Sequence, residues 1–304
     1  MPSKIIPLAI GSSLLVSSIT WGQYADSRPE LDQFNLPEFD VAQLSYLKTG
    51  GMDIDGTNGD LEVSELYLRS LLSSPVEIFD GLTFIPMFTY SLTSLDFSNT
   101  PGFPIQDEDL HSIALHGFLY KEFQNSKWFG LGWGRSEFAS DFQDVSGDAL
   151  TFDVAAGVGY RFSDTFSLSF GVVATDLNGD ESIYPGLNFD WVVSDCLQVG
   201  LYGPDFLATY KVNEAWNLSL RASTMGGSWN VDDQFGNSRT IDLDSYNVGL
   251  YTEHNLAGEL WLSAGVGFTF ANEIEIRDND GGSGFSRDTD GAPFAEIALG
   301  LRKW

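Results

Sequence analysis

From residue 41 onward the chain alternates large apolar with small or polar side chains at a period of two, in stretches of roughly 8 to 15 residues, which is the periodicity of a β-strand. In the cleanest stretch, 150–162, Leu150, Phe152, Val154, Ala156, Val158, Tyr160 and Phe162 fall on one face. Thr151, Asp153, Ala155, Gly157, Gly159 and Arg161 fall on the other. Residues 165–176 and 259–276 repeat the pattern, and the 3–4 spacing of an amphipathic helix fits none of them.

Read this way, the chain holds fourteen candidate strands: 41–49, 61–72, 82–94, 110–121, 127–138, 150–162, 165–176, 183–193, 196–202, 205–212, 216–229, 240–253, 259–276 and 292–304. Tight connections (163–164, 194–195, 213–215, 255–258) interleave with long acidic ones (50–60, 96–109, 139–149, 177–182, 230–239, 278–291). Short turns on one edge and long loops on the other describe an even-stranded antiparallel sheet closed on itself. Gly203-Pro204 is the sensitive point: if it is a kink rather than a turn, the count falls toward twelve. The face opposite the apolar one is rich in Gly, Ser, Thr and isolated charges, as an enclosed bore would be, and not in the Lys, Glu and Thr of a solvated sheet. The expected fold is therefore all-β: an antiparallel up-and-down transmembrane β-barrel of about fourteen strands, with a soluble β-sheet as the alternative.

Composition narrows the class further. With 43 Asp plus Glu against 15 Lys plus Arg, net charge −28, the chain repels phosphates and shows no basic stripe, which argues against a nucleic-acid partner. The lone Cys196 cannot form an internal disulfide, and 3 His offer no ordinary zinc site. Lys4, the apolar stretch 5–19 and small residues at Gly22 and Ala25 read as a signal peptide over 1–22. Residues 23–40, with Pro29 and Pro37, form an N-terminal periplasmic segment, and 41–304 the barrel. Export with no disulfide pair and heavy acidity points to a bacterial envelope, and with the barrel reading to its outer membrane.

The signal peptide, the alternation across 41–304, the stretch Tyr184-Pro185-Gly186-Leu187-Asn188-Phe189-Asp190-Trp191 and the ending Ala298-Leu299-Gly300-Leu301-Arg302-Lys303-Trp304 resemble Gram-negative outer-membrane β-barrels. More narrowly, they resemble a domain-of-unknown-function barrel family of bacterial envelopes. The resemblance implies outer-membrane lipid and the barrel-assembly machinery as partners, with Trp304 as the assembly signal, and brings no activity with it. The apolar face through Ala295, Ile297, Leu299 and Leu301 runs one residue out of phase with Trp304, where such barrels keep the terminal aromatic in phase.

If the greasy faces meet lipid, the charged bore residues are Arg69, Asp153, Arg161, Asp190, Lys211, Arg221, Glu253, Glu296 and Arg302. They are nearly balanced in sign, either as a transverse field across a pore or as a salt-bridged filling. Gly130, Gly132, Gly134, Gly157, Gly159, Gly265 and Gly267 would leave space in that bore or relieve strand strain. Two loop motifs carry a weak calcium pattern: Asp53, Asp55 and Asp60, with Glu62 and Glu65, and Asp176, Asn178 and Asp180, with Glu181. No cofactor is expected otherwise. The function that follows is a narrow passive channel for small hydrophilic solutes or cations. A closed structural or interaction barrel with acidic loops is the second reading. A surface lipid hydrolase is the third, although no GxSxG elbow occurs and His111 and His116 fall on opposite faces by parity.

Overall fold

The computed structural model describes residues 40–100, 103, 105, 107–143, 149–177, 180–232, 238–278 and 284–302. The expected signal peptide over 1–22, nearly all of the expected N-terminal segment 23–40 and Trp304 lie outside them. Seventeen strands occur among the described residues. They run β1 (Asp40–Thr49), β2 (Met52–Asp53), β3 (Asp60–Leu71), β4 (Val76–Phe79), β5 (Leu82–Ser98) and β6 (Glu108–Glu122). Next come β7 (Trp128–Ser140), β8 (Leu150–Ser163), β9 (Phe166–Leu177), β10 (Asp180–Ser194), β11 (Leu197–Tyr202) and β12 (Asp205–Asn213). The last are β13 (Trp216–Asp232), β14 (Ser238–Ala257), β15 (Leu260–Asp278), β16 (Phe285–Thr289) and β17 (Pro293–Arg302).

Fourteen of these form one closed antiparallel ring, β1-β3-β5-β6-β7-β8-β9-β10-β11-β12-β13-β14-β15-β17 and back to β1. The short β2, β4 and β16 are appended to β3, β5 and β15. Gly203 takes a φ of 65° and reverses the chain between β11 and β12, whose six residue pairs run antiparallel from there. The positive φ at Gly203 makes this a turn, so the count is fourteen and not twelve. Closure gives every strand of the ring a partner on both sides and satisfies most of its backbone within the wall.

The usual inside–outside rule is inverted. Leu250 and Val266 stand 67% and 65% exposed on the outer face, while the inward Arg69, Glu253 and Asn217 keep 3%, 4% and 0%. Phe152, Val154, Phe170 and Val172 extend the apolar belt around the wall. A soluble sheet would bury that face; a barrel in lipid turns it outward.

Two local parities differ from the sequence reading. Gly130, Gly132 and Gly134 do not face the bore: Phe129, Leu131, Trp133 and Arg135 do, and the glycines lie on the outer face, with Gly132 against Leu119. Size misled here, because β7 keeps its bulky residues inside, where the Phe129 ring lies over the bare backbone of Gly159. On β15 the register slips opposite Asp244–Tyr246, and Ala271 adopts a φ of 50°. This bulge flips the faces, so that Phe268 and Phe270 point out but Ile274 and Ile276 point in.

That flip helps to build an apolar cap. Met52, Leu61, Leu95, Leu110, Trp229, Ile241, Leu243 and Ile274, all at or below 2% exposure, meet at the long-loop end of the barrel. The outer part of β13 reaches across the mouth, where Asn230 bridges in parallel to Ser140 of β7. A second cluster, Ile85, Met87, Phe118, Tyr120 and Phe129, fills the opposite end against the β5–β7 wall.

Candidate functional site

The bore is built by the alternate residues that the strand pleat turns inward. All nine charged positions expected there face inward. They gather into separate groups on different arcs of the wall.

The largest group spans β13, β14 and β17. Arg221 pairs with Glu253, and Arg302 reaches the same carboxylate at 3.3 Å. The Tyr251 hydroxyl donates to Glu296 at 2.8 Å, while the Arg221 guanidinium lies 4.3 Å above the Tyr251 ring. Arg302 stacks likewise on Trp261 at 4.9 Å. Two arginines against two carboxylates balance in charge, and each planar guanidinium gains both an ion pair and an aromatic face. The ring of Tyr251 lies flat over Gly265, and that of Phe294 over Gly267, so these glycines give the bore room for aromatic walls.

On β7 and β8, Arg135 bonds Asp153 (2.6 Å from Nε) and Glu137 (2.9 Å), with all three side chains nearly inaccessible. Arg161 meets Glu122 at 3.2 Å near the short-turn end, where 28% and 46% of their side chains remain exposed. On β10 and β11, Asp190 accepts from Gln198 at 2.7 Å and from the Tyr202 hydroxyl at 3.4 Å. Arg69 donates to Gln43 at 3.0 Å. Lys211 and Thr209 on β12 and Asp190 on β10 face inward and are partly exposed. Solvent thus touches the polar arc of β8–β12, while the β5–β7 arc is packed with apolar side chains.

Arg135, Glu137, Glu65 and His116 also face inward, although the sequence reading placed none of them among the charged bore residues. The first two were hidden by the inverted parity of β7. His116 Nε2 lies 2.9 Å from Thr89 Oγ1, His111 Nδ1 2.9 Å from the Tyr90 hydroxyl, and His254 Nε2 3.0 Å from Thr252 Oγ1. His111 and His254 are on the outer face and His116 is on the inner one.

The acidic residues concentrate at the long-loop end. Asp53 and Asp60 sit opposite one another in the β2–β3 ladder, and the Asp55 amide donates to the Asp288 carbonyl. Among the described residues no group of three or more His, Cys, Asp or Glu side chains converges to hold a metal ion. Asn178 and the side chains of Asp176 and Asp180 lie outside the described residues. Glu108, at the outer rim, has its carboxyl pushed up to about 7 by burial and then by Asp141, Asp109 and Asp107. Glu275, on the outer extension of β15, is raised chiefly by burial, with Arg277 opposing.

The family described as a domain of unknown function (DUF6268) matches residues 85–301. No curated protein matches the chain. Among solved structures, an outer membrane channel from Pseudomonas putida F1 is 11% identical with a TM-score of 0.47, covering 91% of this chain and all of that one. The P. putida toluene transporter TodX is 10% identical with a TM-score of 0.38, covering 87% of this chain and 90% of that one.

Proposed function

The chain belongs to the DUF6268 family, and from its barrel we propose that it is a passive channel of a bacterial outer membrane, with a narrow, charge-lined bore for small hydrophilic solutes and cations. The observation that carries this reading is a closed fourteen-strand wall, apolar outside, whose inward Arg161, Asp190 and Lys211 remain in contact with solvent. Charges of both signs along such a wall orient permeating solutes, and the acidic rim raises the local concentration of cations. Apolar packing along β5–β7 and the cap over the mouth narrow the path well below what a bare fourteen-strand cylinder would enclose. On the same reading the signal peptide directs export, and the barrel-assembly machinery reads the final strand.

Single-channel recording of the purified full chain in a planar bilayer, under a salt gradient, tests the proposal. Discrete, cation-selective steps are expected. An inserted protein that stays silent would instead favour a closed structural barrel, a reading to which the cap gives some weight.

A further inference from the structure

The barrel wall is not equally high all round. β11 and β12 have 6 and 9 residues, whereas the flanking β10 and β13 have 15 and 17. Tight turns join β10 to β11 and β12 to β13 at the inner rim, and Gly203-Pro204 joins β11 to β12 at the other end. The β10–β11 ladder ends at Asn188–Tyr202 and the β12–β13 ladder at Phe206–Ala222. Beyond those pairs both outer strands run on, β10 along β9 to Asp180 and β13 along β14 to Asp232, and no ladder joins them among the described residues.

Height decides what this gap means. At about 3.3 Å per residue and a tilt of about 40°, the arms of 6 and 9 residues rise about 15 Å and about 23 Å, against an apolar belt about 25 Å tall. The top of the short hairpin therefore lies inside the lipid layer. Ile183, further up β10 than Asn188, is 74% exposed on the outer face, so the belt continues above that level. A break in the wall at this depth must open onto water or polar groups, since strand edges do not face hydrocarbon.

The inside of the barrel leads to the same place. Because the outer part of β13 crosses to β7, the outer end is divided in two. The lobe on the side of β1–β7 is sealed by the apolar cap. Along β8–β10 the inward Thr151, Val173, Ser182, Tyr184 and Gly186 stay partly exposed. The solvated part of the bore thus runs up the lobe whose side the short hairpin leaves open. At the sill stands Asp205, inward and 8% exposed, its carboxylate against the Thr224 backbone with no side-chain partner on either oxygen.

We infer that the gap between β10 and β13 is a lateral window through which amphipathic organic cations pass between the bore and the lipid layer, with Asp205 receiving the cationic end. The inference rests on the channel reading of the bore. Its chemistry follows from the rim: Ile183, Leu187 and Phe206 offer an apolar outer surface, while Tyr184, Asn188 and Asp205 offer polar groups within. A carboxylate in such a setting forms a charge-assisted bond to an ammonium and gives nothing comparable to a neutral molecule.

The test uses cells expressing the full chain and two dyes that fluoresce on entering lipid, a cationic styryl dye and the neutral N-phenylnaphthylamine. Wild type should speed entry of both over cells lacking the protein. Inserting about four residues into each arm of the hairpin at Gly203-Pro204 raises it by about 10 Å, enough to carry it to or past the top of the apolar belt, and should return both dyes to background in a barrel that still assembles. Asp205→Asn, which leaves the backbone alone, should lower the cationic-to-neutral entry ratio about threefold, the size expected for weakening one charge-assisted contact. Dye entry that persists with the lengthened hairpin overturns the window, as does an unchanged ratio in Asp205→Asn should the lengthened protein not assemble. Wild type that conducts ions but leaves both dyes at background also overturns the window while leaving the channel standing. Wild type that passes neither ions nor dyes overturns the channel reading itself.

Discussion

Glu108 stands where β6 leaves the outer rim, and its raised carboxyl couples the fold to pH. Between its ordinary value of 4.5 and about 7, the folded chain holds a proton there that the unfolded chain has released. The stabilisation linked to this proton is complete below about 4.5 and is lost as the pH rises through about 7. Glu108→Gln should therefore melt above wild type at about pH 8, by the equivalent of about 1 kcal/mol once its partial exposure is allowed for, and level with wild type near pH 4. Equal melting points at the higher pH would show that burial there costs nothing. Not every residue of this kind could be read from the sequence. Arg69, Arg221, Glu253 and Arg302 were legible because each breaks a strand whose outer face is plainly apolar. Arg135 and Glu137 were not, because their strand places glycine outside and aromatics inside, and side-chain size points the wrong way there.

At the scale of the element, β9 gives the sharpest test of which face is which. Phe170 lies in the exposed belt and Ser167 lines the bore opposite Arg161 and Asp190. Phe170→Arg should cost about 2–4 kcal/mol of insertion and cut the yield of heat-modifiable folded barrel, while Ser167→Arg should assemble normally. The reverse pattern would mean that the faces are inverted. β13 makes a different demand. Gly226 holds a φ of 118°, and a Cβ there would collide with the Leu243 carbonyl oxygen. That bend sits in the strand whose outer part crosses the mouth, so Gly226→Ala should lower the unfolding free energy measured in urea by about 2 kcal/mol or more, and no change would show that the bend is not needed. The fourteen barrel strands were readable from period-two alternation to within a few residues. What alternation could not show was everything that breaks it: the bulge at Ala271, and the short β2, β4 and β16 paired beyond the ring. The apolar cap follows from such a break, since Ile274 and Ile276 continue an apolar pattern that has changed sides.

For the whole molecule, the proposed channel has two populations of charge that would compete to set ion preference. The rim carries most of the net −28 in loops bathed in solvent, whereas the bore carries mixed charges already tied into pairs such as Arg221–Glu253 and Arg135–Asp153. Salt separates them. Between about 0.1 M and about 1 M the screening length falls from about 10 Å to about 3 Å, which removes the reach of exposed loop charges but acts far less on partly buried ones. If the rim governs, cation preference read from reversal potentials should be strong at low salt and collapse toward none at high salt. Arg161 supplies the contrast, because it is an inward charge that solvent touches, paired with Glu122 at 3.2 Å. Arg161→Glu places two carboxylates together at that level, and should raise cation preference by an amount that survives high salt. A wild-type preference that persists at high salt would move the selectivity from the rim to the bore. If Arg161→Glu changes nothing at either salt, ions pass where that residue does not line the path, and the route must lie nearer the Asp190–Lys211 arc that leads to the short hairpin.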